Sequence, residues 1–221
     1  MSMSKEFIKY DYHKRSLKEI RDASEAYYKL MLKRRSVREF STENVPDEII
    51  ENIIKTAGTA PSGANKQPWF FCLVRNPEIK HQIRMGAEKI ELENYTQKFT
   101  EDFLKDVKAF GTNFQKEFLD VAPALIVIFK EKYKIVNEKI EKNYFVTEST
   151  GIAVGLLIAA IHNAGLVTLP YSPSPNKFLN EILDRPENES PFIILPIGFP
   201  KEGVGVPNNR RKELNEIMKV Y

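Results

Sequence analysis

The chain has 221 residues, 42% hydrophobic and 29% charged, with a formal net charge of +3. That is enough chain for one sizeable core and a single domain spanning 1–221, and a charge too small and too interspersed with acids to call for nucleic acid. Cys72 is the sole cysteine and His13, His81 and His162 are scattered, so neither a disulfide framework nor a metal site is expected, and a reducing, cytoplasmic setting fits.

Met1 to Arg15 carries charges throughout and does not read as a signal peptide. From Ser16 to Lys33 the apolar residues Leu17, Ile20, Ala23, Ala26, Tyr27, Leu30 and Met31 recur at the spacing of an amphipathic helix. The stretch Lys33 to Phe40 follows, with three guanidinium groups and a hydroxyl in five residues, Arg34, Arg35, Ser36 and Arg38. Arginine forks suit two-point binding of phosphate, although an isolated run of this kind also reads as a solvated basic turn. Val45-Pro46-Asp47 starts a helix with Pro46 in its first turn, and Gly58 closes it. Thr59 to Trp69 is a loop of small residues, either an ordinary packed turn or a place where backbone approaches something flat. Trp69 to Val74 is a buried strand.

Glu78 to Lys98 is charged and helical, with Glu91 and Tyr95 on one face. Thr100 can cap a second polar helix, 101–119, that carries Lys116. Neither helix shows a strong apolar stripe, so by themselves they read as a solvated arm or a mobile lid, and Glu91 and Lys116 as solvated charges. Ala124 to Phe129 is a continuous apolar run, hence a central strand. Glu148 to Ala164 reads as the most buried helix, small-surfaced enough for another helix to approach closely; its most apolar part, Gly151 to Ala160, is half the ~20 residues a bilayer span needs. Leu166 to Leu169 is a strand. Pro170-Tyr171-Ser172-Pro173-Ser174-Pro175 can be neither helix nor inner strand. A short helix from Asn176 to Leu183 and a last strand from Phe192 to Pro200 complete the body. The tail, about 203–221, holds Arg210, Arg211 and Lys212 and the apolar Leu214, Ile217 and Met218, which it buries only by packing on something else, such as a partner subunit. The expected architecture is α+β, with four strands, about six helices and a polar two-helix insertion at about 78–120.

The sequence has no G-x-S-x-G elbow, no P-loop and no G-x-G-x-x-G after a strand. A core of this size without catalytic groups of its own often leaves the chemistry to a cofactor. The arginine cluster, the small-residue loop and the second arginine pair suit a flat, phosphorylated one.

Arg34-Arg35-Ser36-Val37-Arg38, followed by Ala57-Gly58-Thr59-Ala60-Pro61-Ser62-Gly63-Ala64 and Gln67-Pro68-Trp69, resembles the FMN-dependent nitroreductase superfamily. Glu91, Tyr95 and Lys116 make the likeness greatest to its iodotyrosine deiodinase branch, and the match runs on through Asn163 to Thr168 and Leu195 to Pro200 into Arg211-Lys212. The resemblance implies a central, mostly antiparallel sheet flanked by helices, in a domain-swapped homodimer with FMN at the subunit interfaces. It implies that Arg34, Arg35, Ser36, Arg38 and Arg211 hold the flavin and its phosphate, and that Pro61 and Ser62 lie against the flavin from the partner. Ala64 would offer its N–H to a phenolate. Glu91, Tyr95 and Lys116 would close over a zwitterionic halotyrosine, with the insertion as lid. Where the deiodinases carry threonines this chain has Pro170-Tyr171-Ser172; these would touch the flavin, with the Ser172 hydroxyl donating to flavin N5 and favouring one-electron chemistry. The animal enzymes' membrane anchor is missing, so a soluble relative is expected. Reductive dehalogenation is the first reading. A general NAD(P)H-dependent nitro or quinone reductase and a non-catalytic halotyrosine-binding flavoprotein are the alternatives. The electron donor, NAD(P)H or a separate reductase, is left open.

Overall fold

The run Ala124 to Phe129 is completely buried and lies at the centre of a four-stranded antiparallel sheet. The structure, a computed structural model, describes residues 7–221. In chain order it contains α1 (Leu17–Leu32), α2 (Asp47–Gly58), β1 (Trp69–Val74), α3 (Pro77–Glu93), α4 (Glu101–Ala109), α5 (Phe118–Val121), β2 (Ala124–Glu131), β3 (Tyr133–Val136), β4 (Lys139–Lys142), α6 (Val146–Asn163), β5 (Val167–Thr168), α7 (Phe178–Ile182), β6 (Glu189–Gly198) and α8 (Leu214–Ile217).

The sheet order is β1-β2-β6-β5. Side chains alternate across a strand, so β2 feeds two cores at once. Ala124, Ile126 and Ile128 meet Ile50, Ile53 and Ala57 of α2 and Leu157 and Ile161 of α6 on one face. Leu125, Val127 and Phe129 meet Ile83 and Ala87 of α3, Leu119 of α5 and Leu179 of α7 on the other. Burial on both faces is why this strand reads as an unbroken apolar run. The sheet continues past β5 through a parallel bridge, Ser36 to Thr168, in which the Val37 N–H donates to the Thr168 carbonyl at 3.2 Å.

The chain falls into two units, one ending at Arg34 and the other running from Arg35 to Tyr221. In the first, α1 opens on a capping box between Ser16 and Glu19, and no residue of the helix is buried. Everything below concerns the second unit.

Four expectations change. The polar helix expected at 101–119 is two: α4 stops at Ala109, Gly111 takes a left-handed φ of 65°, and Lys116 stands on the turn before α5. The other arm helix, α3, is not solvated, since Lys80, Ile83, Ala87 and Glu91 are all buried. Helix α6 buries one face only: Leu157 and Ile161 are fully buried, while Gly151 and Gly155 face open space and Ile152 is 48% exposed. Among the described residues one helix, this one, is long and apolar enough to cross a membrane, but its buried stripe belongs to the core. Lastly, β3 and β4 form a separate hairpin where no strand was expected, turning through Asn137 and Glu138 at φ 49° and 62°.

Candidate active site

Two adjoining cavities lie where the chain leaves β5. The first, about 310 Å³, is lined by Arg38, Glu91, Tyr95, Lys116, Pro170, Tyr171 and Ser172 among others. The second, about 370 Å³, is lined by residues including Ser36, Arg38, Asn113, Gly205 and Pro207. Arg38, Thr112 and Phe118 line both.

The sheet supplies the fixed wall. The bridge to Thr168 sets Ser36 and Val37 beside β5, so that Arg38 follows into the cavities. The Arg35 guanidinium donates to the Pro207 carbonyl and ties this segment to the start of the tail. Arg38 is half-buried and has no hydrogen bond or ion pair among the described residues; its partial burial lowers its pKa against the small opposing influence of Tyr95. An unpaired guanidinium withdrawn from water is a site in want of an acceptor. Beyond β5, Tyr171 is clamped to β6 by reciprocal backbone bonds with Ile194, at 3.0 and 2.8 Å. The next residue, Ser172, donates its hydroxyl to the Phe192 carbonyl at 3.2 Å.

The insertion supplies the charged wall. Glu91 is 8% exposed and Lys116 3%, and the Lys116 Nζ lies 3.6 Å from Glu91 Oε2. Tyr171 donates its phenol to Glu91 Oε1 at 3.1 Å. Lys116 Nζ also donates to the Asn113 carbonyl and lies 5.5 and 5.6 Å from the ring centres of Tyr95 and Tyr171. Burial pulls the Lys116 ammonium below its usual range, and Glu91 opposes that pull. Burial and then the Glu91 charge push the Tyr171 phenol far up, while burial also raises Tyr95, offset in part by a bond to Thr112.

The turn bearing Lys116 is itself anchored. Glu88 Oε1 accepts the Lys116 backbone N–H and the Arg84 Nε, both at 2.7 Å, and Arg84 reaches on to Asp120 at 3.0 Å. Glu88 and the aromatic wall Phe99, Phe103 and Phe118 went unsingled in the sequence. The one signal was the spacing Arg84–Glu88, four residues apart on α3.

Of the residues expected at the site, the second unit brings together Arg35, Ser36, Arg38, Glu91, Tyr95, Lys116, Pro170, Tyr171 and Ser172. Pro61, Ser62, Ala64 and Arg211 line neither cavity, and Arg34 belongs to the first unit. The loop holding Ala64 is unusual nonetheless. Ala64, Asn65 and Gln67 all have positive φ, near 50°, which residues with a Cβ adopt only when their surroundings insist. Gly63 is packed so closely on Phe145 that a Cβ there would come within 2.7 Å of the ring. The Ala64 N–H meets no acceptor among the described residues.

A buried carboxylate, a buried ammonium and an unpaired guanidinium around one cavity define a site for a ligand with charges of both signs. The nitroreductase family model matches residues 31–199, and the chain belongs to that family. It is 49% identical over 222 residues to an iodotyrosine deiodinase from Haliscomenobacter hydrossis, covering all of both chains. It is 46% identical over 205 residues to the iodotyrosine deiodinase of Danio rerio, covering 92% of this chain and 70% of that one. A solved structure of oxidized iodotyrosine deiodinase bound to FMN and 3-iodo-L-tyrosine superposes with a TM-score of 0.75 at 32% identity, over 85% of this chain and 96% of that one.

Proposed function

We propose that the chain is an FMN-dependent oxidoreductase that reductively dehalogenates halotyrosines. The observation that carries this reading is the Glu91–Lys116 pair with Tyr95 beside it, buried in a cavity that Arg38 and Ser172 also line. A free amino acid presents an ammonium for Glu91 and a carboxylate for Lys116 and Tyr95, so it replaces one internal ion pair with two charged contacts.

The residues present fit FMN. Arg38 has a guanidinium without a partner among the described residues, and the buried Thr168 hydroxyl beside Ser36 likewise has no hydrogen-bond partner. Arg35, Ser36, Arg38 and Arg211 would hold its phosphate and ring edge, with Pro170, Tyr171 and Ser172 beside the ring. Reduced FMN supplies two electrons, and with one proton these convert the carbon–halogen bond to carbon–hydrogen and release halide. Ser172 has a hydroxyl that can leave the Phe192 carbonyl for the ring, and the Ala64 N–H is available to a phenolate oxygen.

The site is completed by a second copy of the chain. Pro61, Ser62 and Ala64 stand on a conformationally constrained loop that lines neither cavity, and the open face of α6 and the exposed Leu214 (61%), Ile217 (66%) and Met218 (52%) of the tail await a partner surface. We place the enzyme in the cytoplasm, on its single cysteine, with electrons arriving from NAD(P)H or a separate reductase. Titrating the oxidised, FMN-loaded protein with 3-iodotyrosine while following flavin fluorescence tests the site. Incubating the dithionite-reduced protein with the same compound tests the reaction. Micromolar binding and release of tyrosine are expected; neither occurring would sink the proposal.

A further inference from the structure

Tyr171 joins the Glu91–Lys116 pair from the sheet rather than from the insertion. Its backbone is fixed to β6 by two hydrogen bonds to Ile194, and the edge of its ring packs against Phe118 with ring centres 5.6 Å apart. Its hydroxyl reaches one oxygen of the Glu91 carboxylate, at 3.1 Å, and Lys116 faces the other, at 3.6 Å. Glu91 is thereby held in one orientation by a contact from outside its own helix, on a residue tied to the sheet.

We infer that Tyr171 is a positioning residue that holds the Glu91 carboxylate for the substrate's ammonium and thereby selects zwitterionic phenols over phenols without an amine. The inference rests on the proposed function and sharpens it. When the substrate carboxylate draws Lys116 away, Glu91 Oε2 becomes free for the ammonium while Oε1 stays bonded to the phenol. A carboxylate already fixed in place has less conformational freedom to lose on binding. Burial keeps the phenol protonated, so this donor is present throughout the neutral range.

The test is a double-mutant cycle with Tyr171→Phe and Glu91→Gln in the FMN-loaded protein, read by flavin fluorescence. The ligands are 3-iodotyrosine and its desamino analogue, 3-(4-hydroxy-3-iodophenyl)propionate. Y171F keeps the ring against Phe118. It should raise the Kd for 3-iodotyrosine about tenfold, a size set by one hydrogen bond to a charged group, and by less than about twofold once Glu91 is Gln. The Kd of the desamino analogue should change by less than about twofold. No loss in Y171F, an equal loss in both backgrounds, or an equal loss for both ligands overturns the inference while leaving the functional reading in place. A wild-type protein that binds neither ligand overturns both.

Discussion

The two helices that open the insertion differ little in polarity and greatly in fate. Helix α3 carries Lys80, Ile83, Ala87 and Glu91 along one stripe, and all four are buried. Helix α4 carries Phe103 at 44% exposure and has no buried residue among those described. In α3 the two charges are satisfied on the spot: Lys80 donates to the Asp120 and Ala122 carbonyls at 2.8 and 2.7 Å, and Glu91 holds Lys116 and Tyr171. A charged stripe can therefore be a core stripe, provided each charge has a partner. The buried half of the insertion carries the carboxylate proposed above to bind the substrate, and the exposed half is the part proposed as a lid.

The largest effect should come from breaking the buried pair. Lys116→Met removes the ammonium and leaves Glu91 buried beside an apolar chain, a change that costs roughly 3–5 kcal/mol where a buried pair loses one member. Urea denaturation of the FMN-free protein measures it. A loss under about 1 kcal/mol would mean the pair is hydrated, and α3 and α4 would then differ less than described. Ile83→Ala comes next, at about 3 kcal/mol, because Ile83 is fully buried between α3 and the sheet. Phe103→Ala on α4 should cost less than about 1 kcal/mol. Equal losses in the two would erase the distinction between a core helix and a lid helix.

Glu91→Gln tests the binding role of α3 directly. It keeps the shape and removes the charge. It should weaken 3-iodotyrosine by roughly 1.5–3 kcal/mol, read from flavin fluorescence, and leave FMN bound. Unchanged affinity would remove Glu91 from the substrate site.

The elements that were legible in the sequence have a one-sided physical cause. An unbroken apolar run such as Ala124 to Phe129 has no home but a strand covered on both faces, and three prolines between Pro170 and Pro175 exclude a ladder strand. Of the residues that meet at the cavities, Arg35, Ser36 and Arg38 stand out in the sequence as a cluster of guanidinium groups, and Glu91, Tyr95 and Lys116 through resemblance alone. What stayed hidden is whatever depends on two distant segments meeting. The buried stripe of α3 looks polar because the carbonyls that satisfy Lys80 lie 40 and 42 residues away. Tyr171 reads as a departure from a threonine run, and only its approach to Glu91, 80 residues earlier, gives the phenol a task. The hairpin of β3 and β4 turns on Asn-Glu rather than Asn-Gly, and its strands expose most of their residues, so neither turn chemistry nor alternation marks it.

The smallest effects come from the helix caps, and they separate the two helices most cleanly. Asn76 caps α3, its Oδ1 accepting from the Glu78 and Ile79 N–H groups at 2.8 and 3.2 Å. Thr100 caps α4 through a bond from the Phe103 N–H at 3.3 Å. Replacing either with Ala removes about 1 kcal/mol from its helix. Because α3 is part of the second core, the loss in Asn76→Ala should appear in full in global unfolding. If α4 opens before the rest of the unit, the loss in Thr100→Ala is already present in the opened state and cancels from the global value. It should appear instead as faster amide hydrogen exchange confined to residues 101–109, by about fivefold, and be suppressed when 3-iodotyrosine closes the site. If Thr100→Ala lowers global stability as much as Asn76→Ala does, α4 unfolds with the core and is not a lid.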